Sequence, residues 1–158
     1  MARDAIGDAA GGDAALSMLD EIVPIDDAGR LFLSGAINDW SRVHALGITV
    51  VIDLEGDIDH GVPTAADQFL YVYLPIHDGN MPQLDRLQAV ARMAAELICK
   101  GHRVLSHCGM GLNRSALMAG LICMYLGGTT GSQCVELLQR KRQGALYNEV
   151  FAHYLRSM

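Results

Sequence analysis

No stretch of the sequence stays apolar long enough to cross a bilayer: the most hydrophobic run, Ala116 to Leu126, falls well short of the about 20 residues a hydrocarbon core demands. The opening segment, Met1 to Leu19, has neither a basic n-region nor an unbroken apolar core, because Asp4, Asp8 and Asp13 interrupt it. No secretory signal is read there, and a soluble, cytoplasmic chain is expected. Positive charge is also short, with 12 Lys and Arg against 18 Asp and Glu and a formal net charge of -6. That balance gives no general attraction for polyanions, so nucleic acid and acidic membranes are disfavoured as partners, while a local basic pocket stays open. Cysteine is limited to Cys99, Cys108, Cys123 and Cys134, with no C-x-x-C pair, and no histidine cluster stands at metal-ligand spacing. A disulfide framework and a structural zinc are both unsupported; free thiols in a reducing compartment, with no cofactor, are expected.

What is present is a chain of 158 residues with 51% hydrophobic content, enough for one globular domain around one core. Residues 1–17, rich in Gly, Ala and Asp, are expected to form a flexible arm, and 18–158 a single domain. Glu21 to Ile25 and Arg30 to Ser34 flank Asp26-Asp27-Ala28-Gly29, whose turn chemistry predicts a hairpin. Asn38 or Asp39 caps a short helix running to Leu46. Ile48 to Leu54 and Leu70 to Ile76 are β-branched and aromatic runs that read as interior strands. From Asn80 to Lys100 the apolar residues recur at three and four, which predicts an amphipathic helix capped by Asn80, with Pro82 in its first turn and Gly101 at its end. Arg103 to His107 reads as a third strand, and Arg114 to Leu126 as a helix buried all round and stopped by Gly127-Gly128. Ser132 to Arg142 and Tyr147 to Leu155 complete the helices, with Phe151, Tyr154 and Leu155 facing inward. Strands alternating with helices imply an α/β fold, a central, mostly parallel sheet flanked by helices.

The informative stretch is His107-Cys108-Gly109-Met110-Gly111-Leu112-Asn113-Arg114-Ser115, placed where a strand turns into a helix. Such a turn aims backbone N–H groups at one point, and the helix N-terminus adds about half a positive charge, so the loop suits a tetrahedral anion. Residues 109–114 are the expected phosphate-binding residues. Gly109 and Gly111 permit the tight backbone, and Arg114 folds back as a planar fork for two phosphate oxygens. The same positive surroundings favour the thiolate of Cys108, which is the nucleophile for in-line attack on a bound phosphoryl group. Asp78, at the end of the second buried strand, is the expected general acid, and the base for the water that follows. Ser115 is expected to donate to the sulfur as it leaves. Asp53, Glu55 and Asp57 are rival acids on a segment that otherwise reads as an ordinary loop.

His-Cys, two residues, Gly, two residues, Arg-Ser resembles the signature of the protein tyrosine phosphatase superfamily, and the short chain resembles its dual-specificity branch over about residues 20 to 156. Asn148 and Phe151 are similar to a recurring Asn, two residues, Phe pattern of that branch. The resemblance implies a phosphatase fold without metal, a phosphocysteine intermediate, and a phosphoprotein or small phosphate monoester as substrate. Leu112-Asn113 departs from the usual protein phosphatase loop and resembles the RNA 5'-triphosphatases of the same superfamily. A phosphate-binding module that reads phosphorylated partners without hydrolysing them is the alternative from another class.

The remaining motifs carry plainer expectations. Cys99, Cys123 and Cys134 are assigned to helix packing. His107 orients the loop through its ring, and Asn148 serves as a helix cap or loop brace. Arg140-Lys141-Arg142 reads as a solvated helix end. Trp40 and Tyr125 are assigned to the core, and His77 is a candidate substrate contact.

Overall fold

The structure, a computed structural model, describes residues 18–158; the arm expected over 1–17 lies outside the described residues. Three four-residue strands form the centre of the sheet: β2 (Leu31–Ser34), β3 (Val50–Asp53) and β5 (Val104–His107). All twelve residues are buried: each strand starts apolar on both faces, and the polar residues Ser34, Asp53, Ser106 and His107 fall at the carboxyl ends. Strands β1 (Val23–Pro24) and β4 (Leu70–Tyr73) lie at the edges, the order is β1-β2-β5-β3-β4, and β1 is antiparallel to β2 while every other pair is parallel.

The hairpin predicted from Asp26 to Gly29 is present. Asp26 Oδ1 accepts from the backbone N–H groups of Arg30 at 2.6 Å and Leu31 at 2.9 Å, and Gly29 takes a φ of 62°. Strand β4 (Leu70–Tyr73) is not interior as its composition suggests: it pairs only with β3, and its residues are half-buried or exposed. Its aromatic residues act on one side only. Tyr71 packs beside Trp40 under α1 (Trp40–Ala45), which Asp39 caps by accepting from Ser41 N.

The thicker layer lies on the other face. Helix α3 (Arg114–Leu126) is buried from Ser115 to Cys123 and is enclosed by α2 (Leu84–Cys99), α4 (Gly131–Lys141) and α5 (Glu149–Ser157). Removing Leu117, Met118, Leu121 and Ile122 from water contributes about 1.5–3 kcal/mol each. Gly120 lets α5 pack closely on α3: a Cβ there would stand 2.7 Å from Leu155 Cδ1, and the leucine would have to shift.

Helix α2 begins at Leu84, later than predicted, with Gln83 in the cap position and no side-chain cap bond. Pro82 disfavours helical geometry in the residue before it, so Asn80 cannot cap and the segment joins the preceding loop instead. Of the three cysteines assigned to packing, Cys123 and Cys134 are buried, but Cys99 is exposed at the end of α2.

Candidate active site

Parallel strands all deliver their carboxyl ends to one edge, and β5 ends there at His107. The next six residues form a loop that returns into α3 at Arg114. The loop carbonyls are engaged outside it: Gly109 O accepts from Ala36 N at 3.1 Å, Met110 O from Arg142 Nη2 at 2.9 Å and Leu112 O from Leu146 N at 2.8 Å. Turning carbonyls outward aims the intervening N–H groups at the concave side. Gly111 has a φ of 66°, and a Cβ there would overlap the backbone of Ser34 and Gly35. A Cβ on Gly109 would strike the Glu55 carboxylate. Gly111 is therefore required by contact as well as by conformation, and Gly109 by the Glu55 carboxylate packed against it.

Cys108 is 2% exposed, and its Sγ lies 3.3 Å from Ser115 Oγ, so the expected pairing of sulfur with hydroxyl is in place. Ser106 Oγ donates to Ser115 O at 3.0 Å, tying the strand end to the first turn of α3.

Arg114 is held from behind. Its Nη1 and Nη2 donate to the two carboxylate oxygens of Glu55 at 3.0 and 2.8 Å, while Nε is buried with no protein partner. Glu55 is thus neither a free acid nor part of an ordinary loop: it fixes the guanidinium. Burial pushes its carboxyl up, but hydrogen bonds from Arg114 and from the Gly56 and Gly109 amides outweigh that and hold it below the usual glutamate range. On Arg114 itself burial works to lower the pKa, and Glu55, with the anionic forms of Cys108 and Asp78, raises it above the ordinary value.

Asp78 is exposed and reaches the loop from the other side. Its two carboxylate oxygens accept from Asn113 Nδ2 and Asn148 Nδ2, each at 2.8 Å. Asn148 also caps α5, so it is cap and brace at once. The open cleft between Asp78 and Arg114 has a volume of about 480 Å³, and Glu55, Pro75, Ile76 and His77 line the rest of it.

The other rival acid of note, Asp53, is fully buried and does not line the cleft. It accepts from Glu55 N at 2.8 Å and from the Tyr71 hydroxyl. Burial pushes its carboxyl up, and burial with the neighbouring Asp53 pushes the Tyr71 phenol up as well. His107 Nε2 stands 2.7 Å from Asp59 Oδ2 and 3.5 Å from Asp53 Oδ1, off the line of an aligned N–H bond. The ligand-type atoms of Asp53, Asp59 and His107 all fall within 4.8 Å of one another. Asp53 already has a donor on each oxygen, Glu55 N on one and the Tyr71 hydroxyl on the other.

Arg142 corrects the solvated reading of the helix end. It is 6% exposed and donates to backbone carbonyls only: Met110 at 2.9 Å, Glu21 at 3.3 Å and Leu19 at 3.4 Å. Burial lowers its pKa below that of an ordinary arginine. Its position one residue past the end of α4 was the sole signal of this role, and helix periodicity does not distinguish it from its neighbours.

A central strand that hands a cysteine to a loop closed by an arginine is the architecture of the cysteine-dependent phosphatases. The chain belongs to the dual specificity phosphatase family: residues 32–158 match the model of its catalytic domain. It is 31% identical over 67 residues to the tyrosine-protein phosphatase CDC14 of Candida albicans, a stretch that is 42% of this chain and 12% of that protein. The chain thus spans a small part of the curated relative it matches. Among solved structures, the human tyrosine phosphatase-like serine/threonine/tyrosine-interacting protein shares the fold with a TM-score of 0.72 at 23% identity, covering 87% of this chain and 95% of that one. Tk-PTP in its active form gives a TM-score of 0.69 at 25% identity, covering 86% and 94%.

Proposed function

We propose that this chain hydrolyses phosphate monoesters, on phosphoproteins or small molecules, through a phosphocysteine at Cys108. The observation that carries the reading is the convergence in one loop of Cys108 Sγ, Ser115 Oγ and an Arg114 held by Glu55 with its buried Nε unpartnered. A buried N–H of a cation without an acceptor is costly, and a phosphate oxygen is the acceptor that fits.

In the first step the Cys108 thiolate attacks phosphorus, the ester P–O bond breaks, and Asp78 gives its proton to the departing oxygen. The amides of Gly109 to Asn113 and the Arg114 guanidinium stabilise the charge on the equatorial oxygens. In the second step water attacks the phosphocysteine, Asp78 takes its proton, the S–P bond breaks, and the Ser115 hydroxyl donates to the departing sulfur. Inorganic phosphate leaves. His77 lines the cleft and contacts the substrate beyond the phosphate.

The domain responsible is 18–158, and the setting is cytoplasmic; among the described residues no helix is long and apolar enough to cross a membrane. Acid quenching with a substrate labelled in its phosphate tests the mechanism. Label is expected on Cys108, and tight binding without label would instead favour a phosphate reader. A panel of phosphotyrosine and phosphoserine peptides and triphosphate-ended RNA separates the substrate classes, with RNA the least favoured by the chain's net charge of -6.

A further inference from the structure

Asn113 is the loop residue that phosphate binding leaves unexplained, and it is 2% exposed. Its side chain works in two directions: Nδ2 donates to Asp78 Oδ2 at 2.8 Å, and Oδ1 accepts from Asn148 N at 3.0 Å. Asn148 closes the circuit. Its Nδ2 donates to Asp78 Oδ1 at 2.8 Å and to Gly79 O at 3.1 Å, while its Oδ1 accepts from Val150 N and Phe151 N at the start of α5. Three segments distant in sequence therefore meet on one carboxyl group.

The loop that carries Asp78 has little else to hold it. His77 to Asn80 are exposed, and a Cβ on Gly79 would touch nothing within 4 Å. We infer that Asn113 and Asn148 are positioning residues that preset Asp78 over the phosphate loop before substrate arrives, in place of a flap that closes on it. This rests on the reading of Asp78 as the proton donor. The clamp does not block that role: each carboxyl oxygen has two acceptor sites, one amide occupies one of them, and the transferred proton uses the other. A donor must stay within hydrogen-bond reach of the leaving oxygen, and a displacement near 1 Å costs on the order of a hundredfold in rate.

The test is a series of aryl phosphates, from phenyl phosphate, whose leaving group needs a proton, to dinitrophenyl phosphate, whose leaving group does not. Asn113→Ala, which keeps the backbone amide of the phosphate loop, is expected to lower kcat/KM on phenyl phosphate about tenfold or more and kcat/KM on dinitrophenyl phosphate far less, because kcat/KM reads phosphocysteine formation and not the later water attack that all the substrates share. Asn148→Ser should behave alike: serine keeps the helix cap but is too short to reach Asp78, so the clamp stays testable if Asn113→Ala fails to fold. Combined with Asp78→Asn, neither change should add a further loss. A loss of kcat/KM uniform across the series, or one that multiplies with that of Asp78→Asn, overturns the inference. If Asp78→Asn itself shows no dependence on the leaving group, the assignment of the acid falls first, and the clamp with it.

Discussion

The interior around α3 and the carboxyl edge of the sheet are built on opposite terms. Around α3 the buried side chains are Leu117, Met118, Leu121, Leu138, Phe151 and Leu155, all apolar and interchangeable in principle with others of similar volume. At the edge Asp53, Asn113, Ser115 and Arg142 are buried too, yet each depends on a particular hydrogen-bond partner. Burial alone does not separate the two regions; the specificity of what is touched does. Stability is concentrated in the first and chemistry in the second.

The sharpest test of that division is Cys108→Ser. Turnover of an aryl phosphate should fall by several orders of magnitude, because a hydroxyl is a far weaker nucleophile than a thiolate, while the thermal midpoint stays within a few degrees. Leu121→Ala should do the reverse: about 2–5 kcal/mol of stability lost in urea unfolding, with kcat per folded molecule retained. A large drop in kcat for that variant would show that the two regions are not separable.

Arg142→Met comes next. Without its guanidinium, Met110 O loses its outward donor, and inhibition by inorganic phosphate should weaken about tenfold. Stability in urea should fall by about 1–3 kcal/mol, since backbone carbonyls of Leu19, Glu21 and Met110 lose the guanidinium that donates to them.

The smallest effect concerns acid. Glu55 has a lowered folded-state pKa, so its contribution is present above the unfolded value near 4.5 and is lost as pH falls through the lower folded value. Glu55→Gln should therefore lose less stability than the parent between pH 7 and pH 3 in denaturant titrations. Equal losses in the two proteins would detach Glu55 from Arg114.

How much of this could be read in the sequence follows the same division. The bounds of α3 were legible because Arg114 follows the cysteine loop and Gly127-Gly128 follows Leu126, both local signals. The central strands were legible because burial on both faces leaves short runs that start with consecutive apolar residues, Leu31 to Leu33, Val50 to Ile52 and Val104 to Leu105. The edge position of β4 was not, since its composition matches an interior strand and pairing is decided elsewhere in the chain. Cys108 and Ser115 come together as expected, being neighbours across one turn. The roles of Glu55 and Arg142 were hidden for a common reason: their partners stand 59 and 32 residues away in the chain, and no spacing rule reaches that far.

Gly111 sits directly against the last residue of β2, with no room for a methyl group between them. The anion cradle is therefore cast against a mould supplied by the beginning of the domain. A synthetic peptide copied from residues 104–126 would contain every signature residue and still have nothing to press its backbone into shape.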